Sequence, residues 1–116
     1  MALATGGGVE TLNALGSGSG TRAIDLASGN VVSATLAGNT TFTFTGATAS
    51  TACSFGLYLT QDGTGGRTVT WPASVRWAGG VAPTLSTGAG ALDIVVFETI
   101  NGGTTWYGSL VGNNFS

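Results

Sequence analysis

The sequence predicts an all-β fold: an antiparallel two-sheet sandwich of Greek-key or jelly-roll type, or a small barrel, with about eight short strands and a flexible N-terminal arm. Three observations carry this reading. From Thr21 onward, β-branched and aromatic residues recur in short runs. Gly, Asn and Asp interrupt those runs at roughly ten-residue intervals, which is the spacing of strands and turns. Within several runs apolar and polar residues alternate with period two, so successive side chains fall on opposite faces of a pleated ribbon.

The strands are expected near residues 22–26, 30–36, 40–45, 53–60, 67–71, 74–78, 92–100 and 104–112. Turn chemistry separates them. Ser28-Gly29-Asn30, Ala37-Gly38-Asn39, Asp62-Gly63-Thr64-Gly65-Gly66 and Asn101-Gly102-Gly103 supply residues that tolerate positive φ, and the last is the clearest hairpin signal. Phe42 and Phe44 alternate with threonines, Phe55, Leu57 and Leu59 share one face, and Leu92, Ile94 and Val96 share another. These faces are assigned to the core. Val95 and Phe97 opposite Ile94 and Val96, and Trp106 and Leu110 opposite Tyr107 and Val111, give strands that are apolar on both sides, so both faces are expected to be covered, the second by another subunit of a homotrimer.

Residues 1–20 differ in composition from the rest and end in Gly16-Ser17-Gly18-Ser19-Gly20, a connector-like run, so they are read as the arm and residues 21–116 as the β domain. Val9, Leu12 and Leu15 stand at three-residue spacing and are candidates for docking the arm onto a partner.

Charge excludes several functions. Arg22, Arg67 and Arg76 are the only basic side chains, lysine and histidine are absent, and the net charge is −2. Nucleic-acid binding needs clustered cations to neutralise phosphates, and a membrane surface needs a basic face; neither partner is expected. No apolar stretch approaches the ~20 residues that span a bilayer, and the N-terminus lacks the charged and apolar regions of an export signal. The lone Cys53 cannot form an internal disulfide and reads as a small buried hydrophobe.

The same inventory argues against catalysis. A serine or cysteine nucleophile ordinarily needs a base, and histidine and lysine are missing. The acids Glu10, Asp25, Asp62, Asp93 and Glu98 offer no evident facing pair; Asp93 and Glu98 are an odd number of positions apart and point to opposite faces of a regular strand. They fit better as turn formers, edge charges or partners of the arginines. No transition-metal site or other cofactor is expected. Calcium held by Asp62, Asn39 or Asn101 with loop carbonyls lacks any recognised ligand spacing. Trp71, Trp77, Trp106 and Tyr107 are assigned as core or subunit-interface anchors, with a sugar-stacking platform as the alternative.

The stretch Leu59-Thr60-Gln61-Asp62-Gly63-Thr64-Gly65-Gly66-Arg67-Thr68-Val69-Thr70-Trp71-Pro72, continued by Val75-Arg76-Trp77-Ala78-Gly79-Gly80 and Ala82-Pro83-Thr84-Leu85, resembles a small β module that recurs in tailed-bacteriophage structural proteins, both head decoration (cement) proteins and tail-fibre ends. Asn39-Thr40-Thr41-Phe42-Thr43-Phe44 is similar to its early strands and Gly102-Gly103-Thr104-Thr105-Trp106-Tyr107-Gly108 to its closing hairpin. The resemblance implies a virion protein made in the bacterial cytoplasm, without catalytic residues. A chain that opens on its own methionine and leaves no room for a fibre shaft points, within that resemblance, to a capsid decoration protein on the capsid exterior, whose trimers bridge major capsid protein subunits. A tail-fibre or receptor- and carbohydrate-binding module is the alternative.

Overall fold

The first strand, β1 (Leu12–Asp25), pairs with β2 (Val31–Thr45) in parallel, from Leu12 beside Val31 to Asp25 beside Thr45. That register dictates the shape of the molecule. A straight strand of 14 residues would be about 46 Å long. Residues 26–30, part of them the 3-10 turn Leu26–Ser28, could return only about 20 Å of that distance. Both strands must therefore bend, and the β1 corners are where the ladder slips, at Ala14/Gly16 and Gly18/Gly20, with Gly16 at φ 74 and Gly20 at φ 73. Only glycine adopts that backbone without strain.

Each bent strand makes one level of a coil with two legs. Residues 12–18 stack on 31–36, and 20–25 stack on 40–45. The next level up continues the pattern, with β3 (Cys53–Gln61) parallel to the first leg of β2 and the short β4 (Val69–Thr70) parallel to Thr40 and Thr41 of the second. Beyond β3 the ladder reverses. β6 (Leu92–Thr99) is antiparallel to β3, β7 (Trp106–Phe115) is antiparallel to β6, and β5 (Val75–Trp77) lies parallel to β7 at the far edge. The resulting seven-stranded sheet has the order β1-β2-β3-β6-β7-β5, with β4 on β2. The computed structural model describes residues 9–115. No described helix is long and apolar enough to cross a membrane.

The chain is all-β, as expected. Pairing direction differs from expectation: the strands form one hydrogen-bonded sheet folded over its own core, with parallel neighbours at β1–β2, β2–β3, β2–β4 and β5–β7 where antiparallel ones were foreseen. Short connections normally mean antiparallel hairpins. Here bent strands bring the chain back to its starting edge, so a five-residue link suffices. The expected strands at 30–36 and 40–45 are two legs of one bent strand, and the boundary placed at residue 20 falls inside β1.

Both legs contribute to one core. Ile24, Val32, Leu36, Phe42, Phe55, Leu57, Val95 and Phe97 are fully buried, with Trp106 beside them. At ~1.5–3 kcal/mol per large apolar side chain, this cluster is the principal favourable term. On β6 the expected parity is reversed: Asp93, Val95 and Phe97 point inward, while Leu92 and Ile94 face outward and are half-buried. Asp93 is tolerated inside because its carboxylate is used: Oδ2 accepts from the N–H of Ser86 at 2.7 Å and Oδ1 from that of Asn114 at 2.9 Å.

Arg22 finishes the open end of the coil. Its Nη2 donates to the carbonyl of Leu15 at 2.7 Å and Nη1 to that of Gly16 at 3.1 Å, blunting the exposed edge of β1. The guanidinium crosses Gly18, where a Cβ would stand 2.8 Å from Cζ. Two of the glycines read as a linker are thus corners, and the third clears a path for arginine.

Candidate functional site

The aromatic residues divide into an inner group and a surface group. Trp106 packs edge-on against Phe44 and Phe55, with centroids 5.6 and 5.4 Å away, and is buried in the core. Trp71 and Trp77 meet each other at 5.4 Å and both reach Phe97, forming a half-buried wall beside the core. Tyr107 does not join them. It lies on the outward face of β7, 51% exposed, because parity sends it away from Trp106.

The glycine-rich loop after β3 is fixed by two polar side chains. Gln61, buried at the end of β3 in line with Phe55, Leu57 and Leu59, donates from Nε2 to the carbonyls of Arg67 and Ser86, each at 3.0 Å, and accepts from the N–H of Arg67 at 3.0 Å. It ties the 62–67 loop to the 84–87 segment. Asp62 accepts from the N–H groups of Thr64 and Gly65 and forms an ion pair with Arg67 at 3.0 Å. The hydrogen bond from Arg67 and then that from Gly65 hold its carboxyl below the ordinary value. Gly65 is required at φ 73, since a Cβ there would strike the carbonyl of Thr87.

Asp25 caps the 3-10 turn by accepting from the N–H of Ala27, and Asp62–Arg67 is the ion pair found among the described residues. Asn39 Oδ1 accepts from the N–H of Thr68, and Asn101 Oδ1 from the N–H of Thr105, so the oxygens considered for calcium are engaged in three separate turns. The described residues contain no group of three or more His, Cys, Asp or Glu able to hold a metal ion. The sequence reading gives Gln61 no role and takes Asp93 for a turn former, edge charge or arginine partner, although each continues an inward-facing alternation by two residues.

The candidate docking residues separate as well. Leu15 packs against the core, whereas Val9 and Leu12 are 88% and 58% exposed. Cys53 is half-buried against the core, and burial raises the pKa of its thiol above the ordinary value.

Two concavities flank the outward end of β6. One, of about 420 Å³, lies between Asn30, Ser54, Glu98 and Ile100; the other, of about 290 Å³, between Arg76, Trp77, Glu98 and Tyr107. Glu98 borders both. The sheet register explains the convergence, since Ser54, Glu98, Tyr107 and Arg76 are cross-strand neighbours on β3, β6, β7 and β5. A third concavity of about 270 Å³ runs along Arg67, Trp71, Pro83 and Leu85.

Fold and surface together define a small β-structured module. Comparison with known proteins supplies its family: a family model described as "Putative phage tail fibre C-terminal domain" matches residues 17–105. The match covers most of the chain, and the protein belongs to this family; it is a phage structural protein related to tail fibres. No curated protein and no solved structure matches.

Proposed function

We propose that the chain is a terminal module of a phage tail fibre, carried on the virion as a homotrimer and acting by contact, with no catalytic step and no cofactor. The observation that carries this reading is the family match, which begins within β1 and runs to the β6–β7 hairpin, and so takes in most of the coil together with β3, β5 and β6.

The outward face of the sheet supports assembly with other copies. Around Tyr58, Ile94 and Gly112, which are cross-strand neighbours, stand the exposed Leu12, Val111 and Phe115 and the half-buried Val31 and Leu92, with no charged residue among them. A face of this kind is stabilised by burial against an identical surface and meets no like-charge repulsion there. The turn and capping roles of Asp25, Asp62 and Asp93 leave them little chemistry to perform, which supports the absence of catalysis.

Capsid decoration, with trimers bridging major capsid protein subunits, rests on the sequence resemblance and has no separate support from the fold. Gold-labelled antibody against the chain, applied to intact virions and viewed by electron microscopy, decides between the two positions. Label on fibre tips is the expected result. Label on the capsid lattice would transfer the reading to decoration.

A further inference from the structure

We propose that the outer edge of β4 accepts one short, uncharged, extended segment of a partner polypeptide, which lies between β4 and residues 82–85 and adds a strand to the sheet. The site is a property of the backbone and holds whether the chain sits on a fibre or on a capsid.

Register fixes which groups are open. The N–H of Thr40 donates to the carbonyl of Thr68 at 2.9 Å, and Val69 stands opposite Thr40. In a parallel ladder alternate residues turn their N–H and C=O toward a given neighbour. Thr68 and Thr70 therefore serve β2, while the two backbone groups of Val69 point away from it, on the same side as those of Arg67. Neither group of Val69 has a partner among the described residues, and residues 81–85 across the concavity enter no hydrogen bond with a described residue.

One amide is already seated in this slot. At its closed end the two walls meet directly, the N–H of Gly66 donating to the carbonyl of Thr87 at 2.8 Å. One residue on, the walls have parted and the carboxamide of Gln61 stands between them. It accepts from the N–H of Arg67 and donates to the carbonyls of Arg67 and Ser86, each at 3.0 Å. That is the pairing a strand residue makes, and a peptide unit is the same planar group. Two residues further, beside Val69, the walls enclose a concavity of about 270 Å³, where a peptide group of another chain repeats what Gln61 does.

Side chains define the occupant. Val69, Trp71 and Leu85 are half-buried on the core and give the slot an apolar floor. Arg67, the one charged residue among those lining it, is held on Asp62 at 3.0 Å and leaves no free charge to match. A segment in which apolar residues alternate with threonine or serine covers the floor with one face and meets water with the other. Pro83 lacks an N–H, so the facing wall is a poor partner for β4 itself, and Pro72 ends the acceptor edge after Trp71, which keeps the segment short. Each described strand of this chain already has its place in the sheet, so the donor is a different polypeptide.

The test uses the full chain, isotope-labelled for amide NMR, with the capped peptide Thr-Val-Thr-Phe-Thr-Val-Thr as probe. Addition of the peptide should slow exchange of the Val69 amide about tenfold or more and shift the Trp71 indole. The Thr70 amide, committed to β2, should exchange as before. The same peptide N-methylated along its length has no donors and should not bind. Val69→Pro deletes one donor of the edge and should weaken binding about tenfold, whereas Tyr58→Ala, away from the slot, should bind as the parent does. If Val69→Pro fails to fold, the N-methylated peptide still decides. No protection of Val69 at about millimolar peptide, equal binding of the N-methylated form, or protection confined to the open end of β7 overturns the site. So does Val69 protection that rises with protein concentration in the absence of peptide, which would make the donor a second copy of this chain.

Discussion

Asp93 holds Ser86 at 2.7 Å, carboxylate oxygen to backbone N–H, and this contact anchors the long segment between β5 and β6 to the inside of the sheet. The other oxygen of Asp93 takes the N–H of Asn114 near the end of β7. One buried acid thus fastens two segments. Asp93→Ala leaves two backbone donors without their acceptor and should cost roughly 2–5 kcal/mol. Asp93→Asn keeps one acceptor oxygen and should cost less. Urea denaturation of the three proteins measures the order; equal midpoints would mean that Gln61 alone secures the segment.

Much of the architecture is legible in the sequence because alternation and turn chemistry are local. The Asn101-Gly102-Gly103 hairpin is where it was expected, with Gly102 at φ 69 and Gly103 at φ 87 and the Thr99 hydroxyl accepting from the N–H of Gly103. Pairing direction is not local. The pattern of Phe42 and Phe44 is the same whether β2 meets a parallel or an antiparallel neighbour. Composition misleads at Gly16 to Gly20, where the glycines of a flexible linker and the glycines of a coil corner look alike. On β6 the apolar residues on both faces hide the parity, and Asp93, the informative residue, reads as polar and therefore outward. The groove around Glu98 needs the register of four strands, which no single segment contains.

Trp106 and Tyr107 are adjacent in sequence and should respond in opposite ways. Trp106 is 2% exposed and packed among Phe44 and Phe55, so Trp106→Ala is expected to cost about 3–5 kcal/mol. Tyr107→Ala should leave thermal stability nearly unchanged. Calorimetry compares the two directly, and a large loss at Tyr107 would mean that its ring is buried in an assembled form.

Asp62 sets an acid-dependent contribution. Its carboxyl is held below the ordinary value in the folded chain, by Arg67 first and by Gly65 next, so the folded state binds its proton less readily than the unfolded state. The stabilisation is present above the unfolded carboxylate value and is lost as pH falls through the folded one. Because the pair lies at the surface, with the Arg67 and Asp62 side chains 28% and 22% exposed, the effect is small and weakened by salt. Melting of Asp62→Asn should lie slightly below that of the parent at neutral pH, and the two curves should converge under acid. A gap that persists at low pH would assign the loss to the turn hydrogen bonds with Thr64 and Gly65.

Removal of residues 1–18 tests whether the first level of the coil belongs to the folded domain. Composition reads this segment as dispensable for folding; the β1 register gives it work. The deletion removes the ladder from Leu12 to Gly18 against β2, the Thr11 carbonyl that accepts from Val31, and Leu15 from the edge of the core. It also strips Arg22 of the Leu15 and Gly16 carbonyls and leaves residues 31–36 as a new apolar edge. Loss of one packed leucine at roughly 2–3 kcal/mol corresponds to a melting temperature lower by roughly 10 °C in a domain of this size. Circular dichroism should register that drop, and light scattering should rise with concentration. Arg22→Ala in the full chain separates the two effects, because the ladder remains while the edge loses its cap: scattering should rise with little change in melting. Truncated protein that melts with the parent and stays clear would show that β2 can close the coil alone.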